Sequence, residues 1–295
     1  MTRPCLPPRS AMTALNTAPP ANACDAHLHI FGPYDEFALA DERSYTPDEA
    51  DVHSLIAHLD RTGMQRGVIV NASAYGTDNR ALLHALSAEP ARLRGVAVVN
   101  GEVSDAELDV LHAAGVRGAR FNLYQLNGHS VYRNGAGLED LQRLAPRLKE
   151  RGWHAQIWIH APDLPALAST LFATGVELVI DHMGRMSTAR GTDEPGFRFL
   201  CEALKKEQAW VKISGADRNT TLGPPYDDVT PFAQQLLAAN GDRVVWGSDW
   251  PHINYFDAAK VPDDGVLQNT LMSWIQGTPY VDRVLVHNPA RLYGF

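Results

Sequence analysis

The sequence predicts an α/β protein built as a single (β/α)8 barrel. Three observations carry this expectation. Short apolar, β-branched runs alternate with amphipathic segments from Cys24 to the C-terminus, which implies a parallel sheet covered by helices. The chain has 295 residues, and a barrel of this kind typically takes ~250. The rival architecture, a doubly wound open sheet, usually opens on a glycine-rich phosphate loop. Here the first run instead ends in Asp25-Ala26-His27-Leu28-His29, with no G-x-G-x-x-G.

The predicted strands are Cys24–Ile30, Gly67–Ala72, Leu93–Asn100, Val116–Asn122, His154–His160, Val176–His182, Trp210–Ser214 and Arg243–Asp249. Helix starts between them carry ordinary signals. Thr46-Pro47-Asp48 offers a cap before a proline at the first helical position. Ser104-Asp105-Ala106-Glu107 has the form of a capping box. Asp163 precedes Leu164-Pro165, and Thr230 precedes Pro231. Gly115, Gly152 and Gly175 stand at helix-to-strand junctions, where a C-terminal glycine is expected. Residues 1–22 read as a flexible leader without acidic residues, or as an upstream start with Met12 as the true one. Residues 23–295 form the barrel domain.

Composition excludes several classes. Lys and Arg total 26 against 34 Asp and Glu, a formal charge of −8, so no nucleic-acid partner is expected. No apolar run is long enough to span a membrane, and none is expected as a partner. Cys5, Cys24 and Cys201 make no CxxC, which favours a reducing cytoplasm over a disulfide scaffold. His53, His58, His84 and His112 fall in helical segments and read as surface residues; the six tryptophans read as core and wall. Oligomeric state is not readable.

A barrel carries its active site at the C-terminal ends of its strands, and residues two apart on a strand share a face. His27 and His29 share a face at the end of the first strand. Arg120 and Asn122 share one on the fourth, where a guanidinium fork suits a carboxylate. His154, Gln156, Trp158 and His160 make the polar face of the fifth; His160 reads equally as a ligand or a wall residue. Asp181-His182-Met183-Gly184-Arg185 ends the sixth, with His182 on the parity of Leu178 and Ile180. Lys212, Ser214, Asp217 and Arg218 follow along the seventh. Asp249 ends the eighth on the face of Val245 and Gly247, as a general base or metal ligand beside three histidines. Because the eighth strand closes on the first, Asp249 is expected beside His27 and His29.

Four segments carry a resemblance. Asp25-Ala26-His27-Leu28-His29, Asp181-His182-Met183-Gly184, Gly247-Ser248-Asp249-Trp250-Pro251 and the closing Asn288-Pro289-Ala290-Arg291-Leu292-Tyr293-Gly294-Phe295 resemble the amidohydrolase superfamily, in its amidohydrolase 2 branch. Within it, His29-Ile30-Phe31-Gly32-Pro33, Arg43-Ser44-Tyr45-Thr46-Pro47, Arg120-Phe121-Asn122 and His182-Met183-Gly184-Arg185 are most similar to the 2-pyrone-4,6-dicarboxylate lactonases and the related sugar-acid and sulfomuconolactone lactonases. The resemblance implies a hydrolase of a small anionic lactone. It implies that Tyr45, Ser73, Arg120, Arg185 and Arg218 hold the substrate, and that His27, His29 and His182 polarise the lactone carbonyl. The pyrone lactonases carry a second basic residue soon after their R-F-N; here none follows until Arg133. That departure favours a lactone with one strong anionic group.

The expected reaction is ring opening by water that Asp249 deprotonates, with the histidines stabilising the oxyanion and the arginines orienting the ring. The alternatives are a metal-dependent decarboxylase of an aromatic or muconate-like acid, and a degenerate barrel that only binds an anion. The superfamily generally holds a divalent ion at positions like His27, His29, His182 and Asp249, whereas the pyrone lactonases are implied to work without one. The fourth strand ends without a lysine that could bridge two metals. Metal-independent catalysis is therefore expected, with a single Zn²⁺ at those four residues, joined by His160, as the alternative.

Overall fold

The computed structural model describes residues 3–126, 128–132 and 134–295. Arg133 lies outside the described residues. Eight parallel strands follow in sequence order around one sheet: β1 (Cys24–Leu28), β2 (Arg66–Val70), β3 (Leu93–Ala97), β4 (Val116–Asn122), β5 (His154–Trp158), β6 (Leu178–Ile180), β7 (Trp210–Lys212) and β8 (Val244–Val245). The ring closes between β8 and β1. There Ala26 N donates to Trp246 O at 2.8 Å, Asp249 N to His27 O at 2.9 Å and His29 N to Trp250 O at 2.8 Å. The fold is the single (β/α)8 barrel expected from the alternation.

Helices cover the outside, and their apolar faces fill the larger core between sheet and helices. A smaller cluster fills the barrel: Cys24, Ala26, Val68, Val70, Val96, Val179 and Val245, with Tyr293 from the C-terminal helix packed against them. The Ser104 capping box forms as expected. The Thr46-Pro47 start does not. The first helix runs Val52–Thr62 and is capped by Asp51, whose side chain accepts from Ser54 N. Thr46 is instead bridged to Pro4, and Phe31 to Ala50, so this stretch is extended and pairs laterally.

The stretch expected as a flexible leader pairs with Thr46 and with the segment after β8. Cys5 N donates to Thr46 O (2.7 Å), Leu6 N to Tyr255 O (2.9 Å) and Thr13 N to Asp263 Oδ1 (3.0 Å). Cys5, Cys24 and Cys201 are all buried free thiols. Among the described residues, no helix is long and apolar enough to cross a membrane.

The short strands place the site. Most predicted strands continued further than the ladder does, and the difference is chemical. His182 and Asp249 lie past the ends of β6 and β8, at φ of 51° and 66°. That left-handed region is uncommon for residues other than glycine and costs on the order of 1–3 kcal/mol per residue. Strand parity therefore does not place these two side chains; local turns do.

Candidate active site

β1 presents two histidines inward because its register slips between Asp25 and Leu28. Before the slip, Cys24 and Ala26 face the barrel interior; after it, Leu28 joins the outer core. Asp25 stabilises the irregularity. Its Oδ1 accepts from His27 N (3.1 Å) and from Ser248 N (3.0 Å), tying β1 to the segment after β8. Gly247 permits the approach, since a Cβ there would lie 2.4 Å from His27 N.

Three imidazoles then converge on one carboxylate oxygen. Nε2 of His29, His27 and His182 stand 3.2, 3.6 and 3.9 Å from Asp249 Oδ1. The other oxygen, Oδ2, accepts from Arg218 Nη2 (3.1 Å) and Nε (3.2 Å). His29 Nδ1 donates to Val70 O at 2.7 Å, and His182 Nδ1 lies 2.9 Å from Ser214 Oγ. Asn219 Nδ2 donates to His182 O at 3.0 Å, which holds the turn that aims this ring.

Burial and charge set the protonation of the group. Burial alone would raise the Asp249 carboxyl, but His182, Arg218 and the hydrogen bond with His29 outweigh it and hold the group well below the usual carboxylate range. Burial lowers His182 to about 4. Burial and the nearby Lys212 ammonium push His27 well down. His27 and His182 are thus neutral at pH 7, beside an ionised Asp249.

Beneath this layer lies a second buried group. Lys212 Nζ donates to Ala26 O (2.9 Å) and Gln156 Oε1 (2.7 Å), and approaches His27 Nδ1 at 3.3 Å. Gln156 Nε2 donates to Asp181 Oδ2 at 3.0 Å. Asp181 Oδ1 is 3.4 Å from His27 Nδ1 and 3.6 Å from Lys212 Nζ. Parallel pairing of β4 and β5 sets Arg120 beside Gln156, and Arg120 Nε lies 3.6 Å from Asp181 Oδ2.

Above it opens a cavity of about 170 Å³. Its floor is His29, His182, Asp249 and Arg218; Arg120 and Arg185 bring charge to its sides. One wall is aromatic. Tyr132 stacks on Trp158 at 4.6 Å between centroids, and Tyr124 leans on Trp158 at 4.8 Å. Among the described residues, Arg185 has one long polar contact, 3.5 Å to Asn219 Oδ1.

Sequence reasoning brought His27, His29, His182 and Asp249 to one place, and the structure gathers them. The remaining candidates divide. Arg120 and Arg185 line the cavity. Arg218 lines it too, but spends its guanidinium on Asp249 and on Ile253 O at 2.8 Å. Tyr45, Ser73, Asn122 and His160 are not among the cavity-lining residues. Tyr45 is buried behind Tyr132, at 5.5 Å between centroids, and bonds Ser73. Asn122 packs on Gly135. His160 faces Asp163 at 3.8 Å and the edge of Tyr124.

The sequence places Lys212 on the seventh strand without a role and does not point to Tyr124 or Tyr132. Lys212 had a signal: a lysine inside a short apolar strand is rarely solvated. The tyrosines had none, because they sit in the long excursion after β4. His58, expected at the surface from its helical position, is buried, stacked on Trp250 at 5.1 Å between Asp25 and Asp264.

With this geometry in hand, residues 24–295 match the amidohydrolase family (Amidohydro_2). The chain belongs to the amidohydrolase family. It is 39% identical over 283 residues to a 2-pyrone-4,6-dicarboxylate hydrolase of Comamonas testosteroni, covering 93% of this chain and 90% of the relative. It is 35% identical over 291 residues to a 4-sulfomuconolactone hydrolase of Rhizobium radiobacter, covering 99% and 96%. Among solved structures it resembles a probable 2-pyrone-4,6-dicarboxylic acid hydrolase of Acinetobacter baumannii with citric acid bound. The TM-score is 0.78 at 29% identity, over 93% of this chain and 100% of the other.

This amidohydrolase also has groups that fit one divalent cation. His27, His29 and Asp249 bring ligand atoms within 4.8 Å of one another, as do His27, Asp181 and His182. His29 illustrates the fit. Val70 O can only accept, so Nδ1 carries the proton and the Nε2 lone pair faces Asp249 Oδ1. Two lone pairs at 3.2 Å require a proton or a cation between them.

Proposed function

We propose that this amidohydrolase opens the ring of a small lactone bearing a carboxylate or similar anion. The observation that carries the reading is Asp249 Oδ1, ringed by three imidazole nitrogens at the floor of a cavity flanked by Arg120 and Arg185. The names of its relatives and the citric acid in a related structure support an anionic substrate. Arg185 and Arg120 hold the anion and orient the ring, and the aromatic wall packs on its face. A water beside Asp249 Oδ1 attacks the lactone carbonyl carbon. Its proton passes to Asp249 as the C–O bond forms, the point at which even an acidic carboxylate serves as base. Histidine N–H groups receive the developing oxyanion. The tetrahedral centre collapses, the ring C–O bond breaks, and the leaving oxygen takes the proton back from Asp249. The product is a hydroxy acid, ionised at pH 7 with release of one proton.

His29, His182 and Asp249 would hold a single divalent ion, which would supply a more acidic water. A lactone panel assayed by proton release, with and without chelator and with elemental analysis, tests the proposal. Turnover that survives chelation is expected. Release of CO₂ from an aromatic or muconate-like acid would replace hydrolysis with decarboxylation. One tightly held equivalent of zinc that restores lost activity would overturn the metal-free form.

A further inference from the structure

We infer that Lys212 is a positioning residue that decides which nitrogen of His27 carries the proton, making His27 a hydrogen-bond donor at Nε2 rather than a metal ligand. Lys212 is fully buried. Its ammonium has three protons to place and cannot accept. Two go to oxygens that can only accept, Ala26 O at 2.9 Å and Gln156 Oε1 at 2.7 Å. The amide of Gln156 has no freedom to flip, because its Nε2 donates to Asp181 Oδ2 at 3.0 Å. The third proton points at His27 Nδ1, 3.3 Å away. Nδ1 must then offer a lone pair, and a neutral imidazole places its single proton on Nε2.

Asp181 competes for the same nitrogen. Its Oδ1 lies 3.4 Å from His27 Nδ1, which is close enough to accept. The lysine contact is the shorter, 3.3 Å, and Asp181 is already engaged by Lys212 at Oδ1 and by Gln156 at Oδ2. An N–H at Nε2 is directed at Asp249 Oδ1, 3.6 Å away, and at a carbonyl oxygen bound beside it. A metal ligand needs the reverse arrangement, with Nδ1–H given to an oxygen. His29 has that reverse arrangement through Val70 O. His27 and His29 are therefore set to opposite ends, and Lys212 makes the difference.

The position of the proton follows from this geometry. Its use in turnover rests on the lactone-hydrolase reading, and the two fail separately. Neutron diffraction from wild-type crystals exchanged into D₂O reads the proton directly. Deuterium on His27 Nε2, none on Nδ1 and three on Lys212 Nζ is the expected result. Deuterium on Nδ1, deuterium on both nitrogens, or a metal on Nε2 overturns the inference, whatever the substrate proves to be. In Lys212→Met, His27 Nδ1 is free to donate to Asp181. Calorimetric titration with zinc alone is then expected to show affinity tightened about 10-fold or more, with kcat on the active lactone down about 10- to 100-fold and KM nearly unchanged. Wild-type zinc affinity in a folded Lys212→Met protein overturns the inference. Absence of turnover across the lactone panel sinks the hydrolase reading and leaves the neutron result standing.

Discussion

Replacing Asp249 with Asn keeps the shape of the side chain and removes the base. The structure sets two separate costs. The chemical one is the loss of proton transfer from water, which is worth about two to four decades in rate, or about 3–5 kcal/mol of barrier. The structural one falls on Arg218, which gives Asp249 Oδ2 two hydrogen bonds at 3.1 and 3.2 Å from a largely buried position. Breaking a buried ion pair costs on the order of 3–5 kcal/mol when one partner is deleted. Asn keeps an acceptor oxygen for the guanidinium, so the lower end, about 3 kcal/mol, applies. The measurements are proton release at saturating lactone and a urea unfolding curve on the same preparation. Asp249→Asn should unfold at lower urea, remain folded in buffer, bind product, and lose about 10²- to 10⁴-fold in kcat. A folded variant with kcat within tenfold of wild type would refute the base assignment. Loss of stability without loss of turnover would reassign Asp249 as a partner for Arg218.

Three further outcomes follow from the same contacts. Arg185→Met removes a guanidinium whose only polar contact among those described is 3.5 Å long, so kcat/KM should fall about 10- to 100-fold, mostly through KM, with the melting temperature little changed; equal KM for wild type and variant would contradict its role in holding the anion. His154 is buried, and burial lowers it to about 3, so it resists protonation. The unfolded chain binds that proton below its ordinary value of 6.5, so stability is lost as pH falls from 6.5 toward 3. At pH 5 the loss is about 2 kcal/mol, so His154→Phe should gain about that much relative to wild type between pH 8 and pH 5, and a pH-independent difference would refute it. Gly247→Ala puts a methyl 2.4 Å from His27 N and should part β8 from β1, costing about 1–3 kcal/mol with loss of activity; unchanged melting and turnover would show that the approach is not needed.

Much of this was legible because barrel topology is written in local patterns. The alternation of apolar runs and capped helices identified eight strands, and the closure of β8 on β1 brought Asp249 to His27 and His29. Other features depend on tertiary context. Strand parity assigned His182 and Asp249 to inward faces, yet both lie beyond the ladder in left-handed turns. The register slip in β1 leaves no compositional trace, although it turns His27 inward after Ala26. Thr46-Pro47 looked like a helix start by the same signal that worked at Ser104; extended pairing with Pro4 overrode it. His58 fell on a helix, and helical periodicity alone did not show that Asp25, Asp264 and Trp250 would enclose it.

The charge of the site sharpens what the sequence total of −8 left open. Around the cavity and its underlayer, the described residues supply four fixed cations: Arg120, Arg185, Lys212 and Arg218. Carboxylates face most of them, including Asp25, which acts on Lys212. Asp249 and Asp217 stand within 3.1 and 3.6 Å of Arg218. Asp181 is shared by Lys212 and Arg120, each at 3.6 Å. Arg120, Lys212 and Arg218 each have a carboxylate within 3.6 Å, whereas the polar contact of Arg185 is with a neutral amide. In a small buried site that imbalance is relieved by a ligand's anion far more effectively than by exposed carboxylates elsewhere, because screening by water is weak there. A guanidinium whose polar contact is with a neutral amide matches one anionic group on the substrate. A lactone panel ordered by charge should therefore peak at compounds with a single anion, and a neutral lactone of the same ring should gain most from Arg185→Met relative to its own wild-type rate. If neutral and anionic lactones respond equally to that substitution, the local charge balance does not select the substrate.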